Sequence, residues 1–291
     1  MKSIIYIIIA ALFLTHPLFA SIGWKENQKQ EIKLQADDEH PDSIALSKSA
    51  AIIEKRLSDY GLQNFLVNEN LTKNSIDIVF NDPVAESEIL PLLTSRGKIE
   101  FYETLNRRDV IKLLDKDDRL YSLLNISSDN QFTDSSPAIL GYCNSQSKSE
   151  VDAYLAEHYV SKPYQGIKFL WSQKSNSSGD FYLFLLKHHA SMDGFQIQEA
   201  GLAGGGTSNN ASLTIQFNSS GVKMWQDLTK NNIGKPVAIV IDEAVYSAPQ
   251  VMSEIKEGKC LISGDYSPKE IMILGSLLNN EELPLEFHVG K

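Results

Sequence analysis

Five consecutive apolar residues, Val237 to Ile241, end at Asp242 and constrain the fold more than any other stretch. A strand with one wet face alternates apolar and polar residues, whereas an unbroken run of this length fits a strand covered on both faces. A layer is therefore expected on each side of a central strand here. Cys260 to Ser263 reads as a further strand, ending at Gly264. Ser267-Pro268-Lys269-Glu270 is a capping box with proline at the first helical position, and Ile271, Leu274 and Leu278 share one face of the helix it opens. Upstream, Leu213, Ile215 and Phe217 alternate, and Val222, Trp225 and Leu228 form a helical stripe that Gly234 ends. Leu285, Phe287 and Val289 close the region with a last alternation.

The first part of the chain has a related order. Glu31 to Ala36 alternates as a strand, and Leu46, Ala50, Ile53, Leu57 and Tyr60 make one helical stripe before Gly61. Phe65 to Asn68 and Ile76 to Phe80 are strands joined at Lys73-Asn74. Asp82-Pro83 reads as the cap and first position of a helix carrying Ile89, Leu92 and Leu93, stopped by Gly97. Ile99, Phe101 and Leu105 then read as the final strand of a βαββαβ unit, and residues 211–289 suggest the same order again. Between them lie an expected helix (Val110 to Leu124), a Ser/Asp/Asn-rich loop (127–136), a helix near Val151 to Tyr159, a strand (Phe181 to Leu186) and the glycine-rich connector Gly201 to Asn210. The expected divisions are a signal segment at 1–20, an N-terminal unit at 21–107, an inserted region at 108–210 and a C-terminal unit at 211–291.

The 291 residues carry a net charge of −10 and 42% apolar side chains. That composition fits a folded domain, and without a basic cluster it excludes phosphate-backbone binding, so no nucleic-acid partner is expected. Lys2, the apolar run Ile4 to Leu14, Pro17 and Leu18-Phe19-Ala20 have the layout of a secretory signal cut after Ala20. The run is short of the roughly 20 residues of a membrane span. An exported, periplasmic protein is therefore expected; an uncleaved N-terminal anchor in the inner membrane is the alternative. Cys143 and Cys260 either form a disulfide, which export permits, or stand as buried thiols.

Catalytic and metal chemistry find little support. His188 and His189 are adjacent on a strand and face opposite ways, so they do not share an ion with Asp193. Asp242, Glu243 and Asp265 sit at strand ends but have no identifiable nucleophile or base partner. No enzyme activity, cofactor or metal is expected. Gly204, Gly205 and Gly206 lack the Gly-Lys-Ser/Thr of a phosphate loop and read as a connector and candidate hinge. Among the aromatics Phe169, Trp171, Phe181, Tyr182, Phe184 and Trp225, the run Phe181, Tyr182 and Phe184 is the candidate polypeptide-binding segment, since its faces alternate.

Three segments carry a family resemblance: Ile53-Glu54-Lys55-Arg56-Leu57 with Tyr60-Gly61 and Ile76-Asp77-Ile78-Val79; Gly97 to Thr104; and the block from Phe217 through Leu283-Pro284. Together they resemble the first periplasmic domain of SecD and SecDF, the membrane subunits that assist protein export. Tyr102-Glu103-Thr104 and Trp225 are most similar to the Bacteroidetes-type SecDF. The resemblance implies an α+β fold with ferredoxin-like βαββαβ base unit(s) and an inserted mixed α/β head subdomain that moves relative to the base. It implies contact with unfolded exported polypeptide and with the Sec translocase or a separate membrane subunit. The expected protein is a stand-alone version without the transmembrane helices, hence an accessory of translocation with no proton-driven motor activity of its own. A non-catalytic scaffold module that binds a folded envelope partner is the alternative.

Overall fold

The fold is known from a computed structural model. The structure describes residues 29–114, 118–126, 137–159, 166–203 and 211–290. The expected signal segment and Gly204, Gly205 and Gly206 lie outside these residues. No described helix is long and apolar enough to cross a membrane.

The base begins as the sequence pattern requires. β1 (Gln30–Ala36) leads to α1 (Ser43–Tyr60), whose first turn is capped by the Asp42 carboxylate accepting from the Ile44 amide. Leu46, Ala50, Ile53 and Leu57 are buried along one side of α1, and Gly61 ends it at φ 102°. The hairpin β2 (Phe65–Asn70) and β3 (Ser75–Phe80) follows, then α2 (Glu86–Thr94). The cap expected at Asp82-Pro83 is not formed: α2 starts three residues later, after Ala85. Asp82 instead accepts from the Asn64 side-chain amide at 3.0 Å.

The chain then leaves the base. β4 (Ile99–Glu103) does not close the first sheet, contrary to the expected βαββαβ order. Its residues 99–102 are all buried, so it needs a covered position, which the base edge does not offer. The expected helix from Val110 to Leu124 is two short helices, α3 (Arg107–Ile111) and α4 (Leu120–Leu123), with Asp118 accepting from the Leu120 amide and starting the second. β5 (Ile139–Asn144), α5 (Lys148–His158), β6 (Ile167–Trp171) and β7 (Asp180–Lys187) form a lobe whose sheet has the order β5-β7-β6. The chain continues through β8 (Met192–Asp193), a 3-10 turn, and β9 (Ile197–Leu202).

β10 (Leu213–Phe217) pairs with β9, and α6 (Ser219–Asn231) follows it. β11 (Val237–Ile241) is fully buried between β4 and β12 (Ala244–Ser247), the covered central strand that its apolar run demands. β13 (Lys259–Ile262) pairs with β10. α7 (Pro268–Leu278) has the expected Ser267–Glu270 capping box. The head is thus a sandwich of the sheets β12-β11-β4-β8 and β13-β10-β9 around Phe101, Phe217 and Trp225.

Finally β14 (Phe287–Val289) returns to the base and completes the order β14-β1-β3-β2, antiparallel throughout. This is the ferredoxin-like arrangement, with the closing strand supplied from the far end of the chain. The second βαββαβ unit expected over 211–289 does not form its own sheet, because its strands are shared among three sheets. Pairing of β14 with β1 and of β11 with β4 runs across the divisions expected at 107 and 210. α7 joins both bodies: Ile273 and Leu277 enter the base core, while Ile271, Leu274 and Leu278 enter the head core.

Candidate functional site

The head sandwich has one sheet whose two edges are treated differently. In antiparallel pairing, alternate residues point their N–H and C=O toward or away from the partner strand. Phe217 donates its amide to the Gly258 carbonyl. By alternation, Cys260 and Ile262 bond to β10, while Lys259 and Leu261 direct their backbone groups outward. On the opposite edge, Asn279 closes β9: it accepts from the Ala200 amide and donates to the Ala200 carbonyl, both at 2.7 Å. Among the described residues, the β13 edge is closed at a single oxygen, where the Trp225 indole N–H donates to the Lys259 carbonyl at 3.0 Å.

This open edge lies in a groove of about 440 Å3. Its floor is Trp225, Val237 and Cys260; its far wall is the segment containing Val251, Met252 and Ile255; Leu261 forms the near rim. The far wall is itself held as an irregular extra strand, with Val251 donating to the Lys235 carbonyl and Val237 to the Pro249 carbonyl. Met252 is 81% and Leu261 46% exposed, so apolar surface lines a concave edge that pairs with no further strand among the described residues. Trp225 is held rigidly by edge-on contacts with Phe101 and a tilted contact with Phe217.

A second concavity, about 430 Å3, lies where the base meets the head, lined by Arg96, Lys98, Asp242 and Glu286 among others. Its chemistry is structural. Asp242 and Glu243 take positive φ at the turn between β11 and β12. The Asp242 carboxylate accepts from the amides of Gly97 (3.1 Å) and Lys98 (2.9 Å), tying the head to the exit of α2. Beneath it the fully buried Arg56 guanidinium donates to the carbonyls of Ser95 (2.6 Å), Arg96 (2.7 Å) and Glu281 (3.2 Å). Burial lowers its pKa to about 10. Asp265 contributes its main-chain carbonyl, which accepts from Lys174. The Asp242 carboxylate thus stands as a joint of the fold.

Phe181, Tyr182 and Phe184 are brought to the central strand of the β5-β7-β6 sheet, so neither edge of β7 is open. Phe181 has the Lys148 ammonium over its ring at 4.3 Å. Tyr182 lies on the other face, edge-on to Tyr142, and Phe184 packs against the core between the lobe and the head. The three therefore do not share one surface. Trp225, named from the sequence among possible gripping aromatics, is buried at the groove floor, and its N–H reaches the β13 edge. Asn279 had no sequence signal, since an asparagine just past a helix reads as an ordinary cap.

The two cysteines are free and buried in separate cores. Burial pushes the Cys143 thiol up to about 11 and the Cys260 thiol up to about 12. His188 and His189 lie just past the end of β7 and not on a strand as expected, so their rings are not on opposite faces but lie 4.7 Å apart. Among the described residues, no cluster of His, Cys, Asp and Glu could hold a metal ion.

Residues 169–285 match the SecDF P1 head subdomain family. The resemblance to SecD and SecDF holds. Protein translocase subunit SecD of Acidaminococcus fermentans is 38% identical over 82 residues, covering 28% of this chain and 20% of that protein. SecD of Calditerrivibrio nitroreducens is 33% identical over 101 residues, 35% of this chain and 20% of that protein. The chain spans about a fifth of the length of these SecD relatives. A crystal structure of SecDF in its super-membrane-facing form superimposes with a TM-score of 0.57 at 20% identity, covering 91% of this chain and 30% of that one. A structure of SecDF described as a membrane component that enhances protein export gives 0.51 at 19% identity, covering 90% and 98%. The two superpositions establish a shared SecDF fold, and the groove lies inside the segment matched to the P1 head.

Proposed function

We propose that this chain is an exported, non-enzymatic accessory of protein translocation that holds extended polypeptide along the open edge of β13. The observation that carries the reading is the outward-facing backbone of Lys259 and Leu261 inside an apolar groove of the P1 head-like segment. Main-chain hydrogen bonds to a sheet edge are independent of side-chain identity, so one edge can accept many sequences, as passing export substrates require. The Sec translocase, or a separate membrane subunit, would deliver the emerging chain and supply any motor step.

Leu261→Pro tests this directly. It removes an outward-facing amide, and proline is tolerated at a sheet edge. With reduced, carboxymethylated, permanently unfolded α-lactalbumin as ligand, fluorescence anisotropy should show binding by the native chain. The proline variant should lose most of it while keeping its unfolding midpoint. Equal binding by both proteins refutes the groove. Absence of competition by unrelated unfolded peptides would favour a scaffold that binds a folded envelope partner.

A further inference from the structure

We infer that the β13 groove selects among extended segments by side-chain order: an apolar residue seated in the groove, followed directly by an acidic residue that pairs with Lys259. This rests on the polypeptide reading above. Every strand pair of the head sandwich is antiparallel, so an added strand is taken as antiparallel to β13. Side chains alternate across β13: Cys260 and Ile262 are buried in the sandwich core, while Lys259 and Leu261 are exposed on the outer face. Residues directly opposite one another on paired strands put their side chains on the same face. Consecutive residues of an added strand therefore meet different surroundings.

The residue opposite Leu261 stands on the outer face, beside an apolar side chain. The next residue lies opposite Cys260 and points inward, over Trp225 and Val237 and against Val251 and Ile255. An apolar side chain gains there by leaving water, and a charged one loses its hydration without a partner. This seat is held in shape. Val251 donates to the Lys235 carbonyl and accepts from the Gly234 amide, and the Ile255 amide donates to the Thr229 hydroxyl at 3.0 Å. The residue after it lies opposite Lys259, again on the outer face. Lys256 is matched with Glu254, but Lys259 forms no ion pair among the described residues. Its ammonium is a free positive charge at the open edge, so a carboxylate directly opposite is attracted and a second ammonium is repelled. Chain direction fixes the order, because a strand antiparallel to β13 passes Leu261 before Lys259. The net charge of −10 disfavours acidic ligands in general, so a preference for acid at one position would carry the signature of Lys259. Lys259 is thus a specificity-determining residue, and the ligand class is an extended segment with an apolar-then-acidic step.

The test is fluorescence anisotropy with nine-residue Ser/Thr peptides carrying one central leucine, titrated against the full chain. One set places Glu, Gln or Lys directly after the leucine, and a second set places them directly before it. With the native protein, Glu after the leucine should bind about two- to thirtyfold more tightly than Lys there, with Gln between, from the gain of opposite charges and the loss of like ones. Lys259→Glu should reverse that order. Serine in place of the leucine should weaken binding about tenfold or more. Equal binding of the Glu and Lys peptides by the native protein overturns the inference, whatever the fate of the variant. So does an unchanged order in folded Lys259→Glu, a charge preference confined to the residue before the leucine, or equal binding of the serine peptide. No binding of any peptide by the native protein refutes the polypeptide reading itself and removes the inference with it.

Discussion

Gly97 and Gly234 adopt nearly the same left-handed backbone, φ 78° and 81°, in very different surroundings. A Cβ at Gly234 would meet nothing within 4 Å, whereas a Cβ at Gly97 would sit 2.7 Å from the Arg56 Nη2 atom. That nitrogen is the one bonded to the Arg96 carbonyl, and the guanidinium is wholly buried, so it has nowhere to retreat. Gly234→Ala should therefore cost only the left-handed penalty of about 1–2 kcal/mol. Gly97→Ala adds the loss of a charged hydrogen bond worth about 1.5–3 kcal/mol, for a total of about 3–5 kcal/mol. Urea unfolding followed by tryptophan fluorescence reads the difference. Arg56→Lys removes the clashing atom and the planar fork with it, so Gly97→Ala made in that background should cost no more than Gly234→Ala. Equal costs for the two alanine substitutions in the native background, or no coupling between positions 56 and 97, would refute the picture of a guanidinium pressed against Gly97.

Asp242→Ala should cost about 2–3 kcal/mol through loss of the two amides its carboxylate gathers, and Asp242→Asn less, both read by urea midpoint. Asn279→Ala uncovers the β9 edge, so the Ala200 amide should exchange with deuterium faster while stability falls by about 1 kcal/mol. Stability should decline under alkaline conditions. The Cys260 thiol rises from 9.0 to about 12 and the Tyr246 hydroxyl from 10.0 to about 12, both by burial, so the unfolded chain loses these protons first. Their contribution is complete below pH 9 and is lost as pH climbs from there to 12. Cys260→Ala should flatten the first part of that decline in a midpoint-versus-pH series.

Much of the local structure was legible. The α1 stripe, the capping box of α7 and the covered position of β11 each follow from a pattern within a dozen residues. Strand partnership was not, because it joins segments far apart. β4 looked one-sided because Glu100 and Tyr102 alternate with Ile99 and Phe101, yet Glu100 is buried with its carboxylate paired to Lys98 at 3.0 Å. The polar members of the strand hid its two covered faces. The groove escaped the sequence for a similar reason. Its open groups belong to the main chain of β13, and whether an edge is free depends on which side chains, Asn279 or Trp225, arrive from elsewhere. Aromatic residues drew attention to Phe181, Tyr182 and Phe184, which pack within the lobe and, for Phe184, between the lobe and the head.

The register that sets Leu34 opposite Val289 has a consequence for synthesis. While the ribosome is still making the sandwich, β1 waits with one flank bare, since its neighbour on that side, β14, lies beyond the whole head in the chain. A nascent chain in this state offers a sticky border to any other half-made strand. Closure across so long a separation should also be the slow event of folding. The base sheet thus stays incomplete until β14 has been translated and has travelled back to β1.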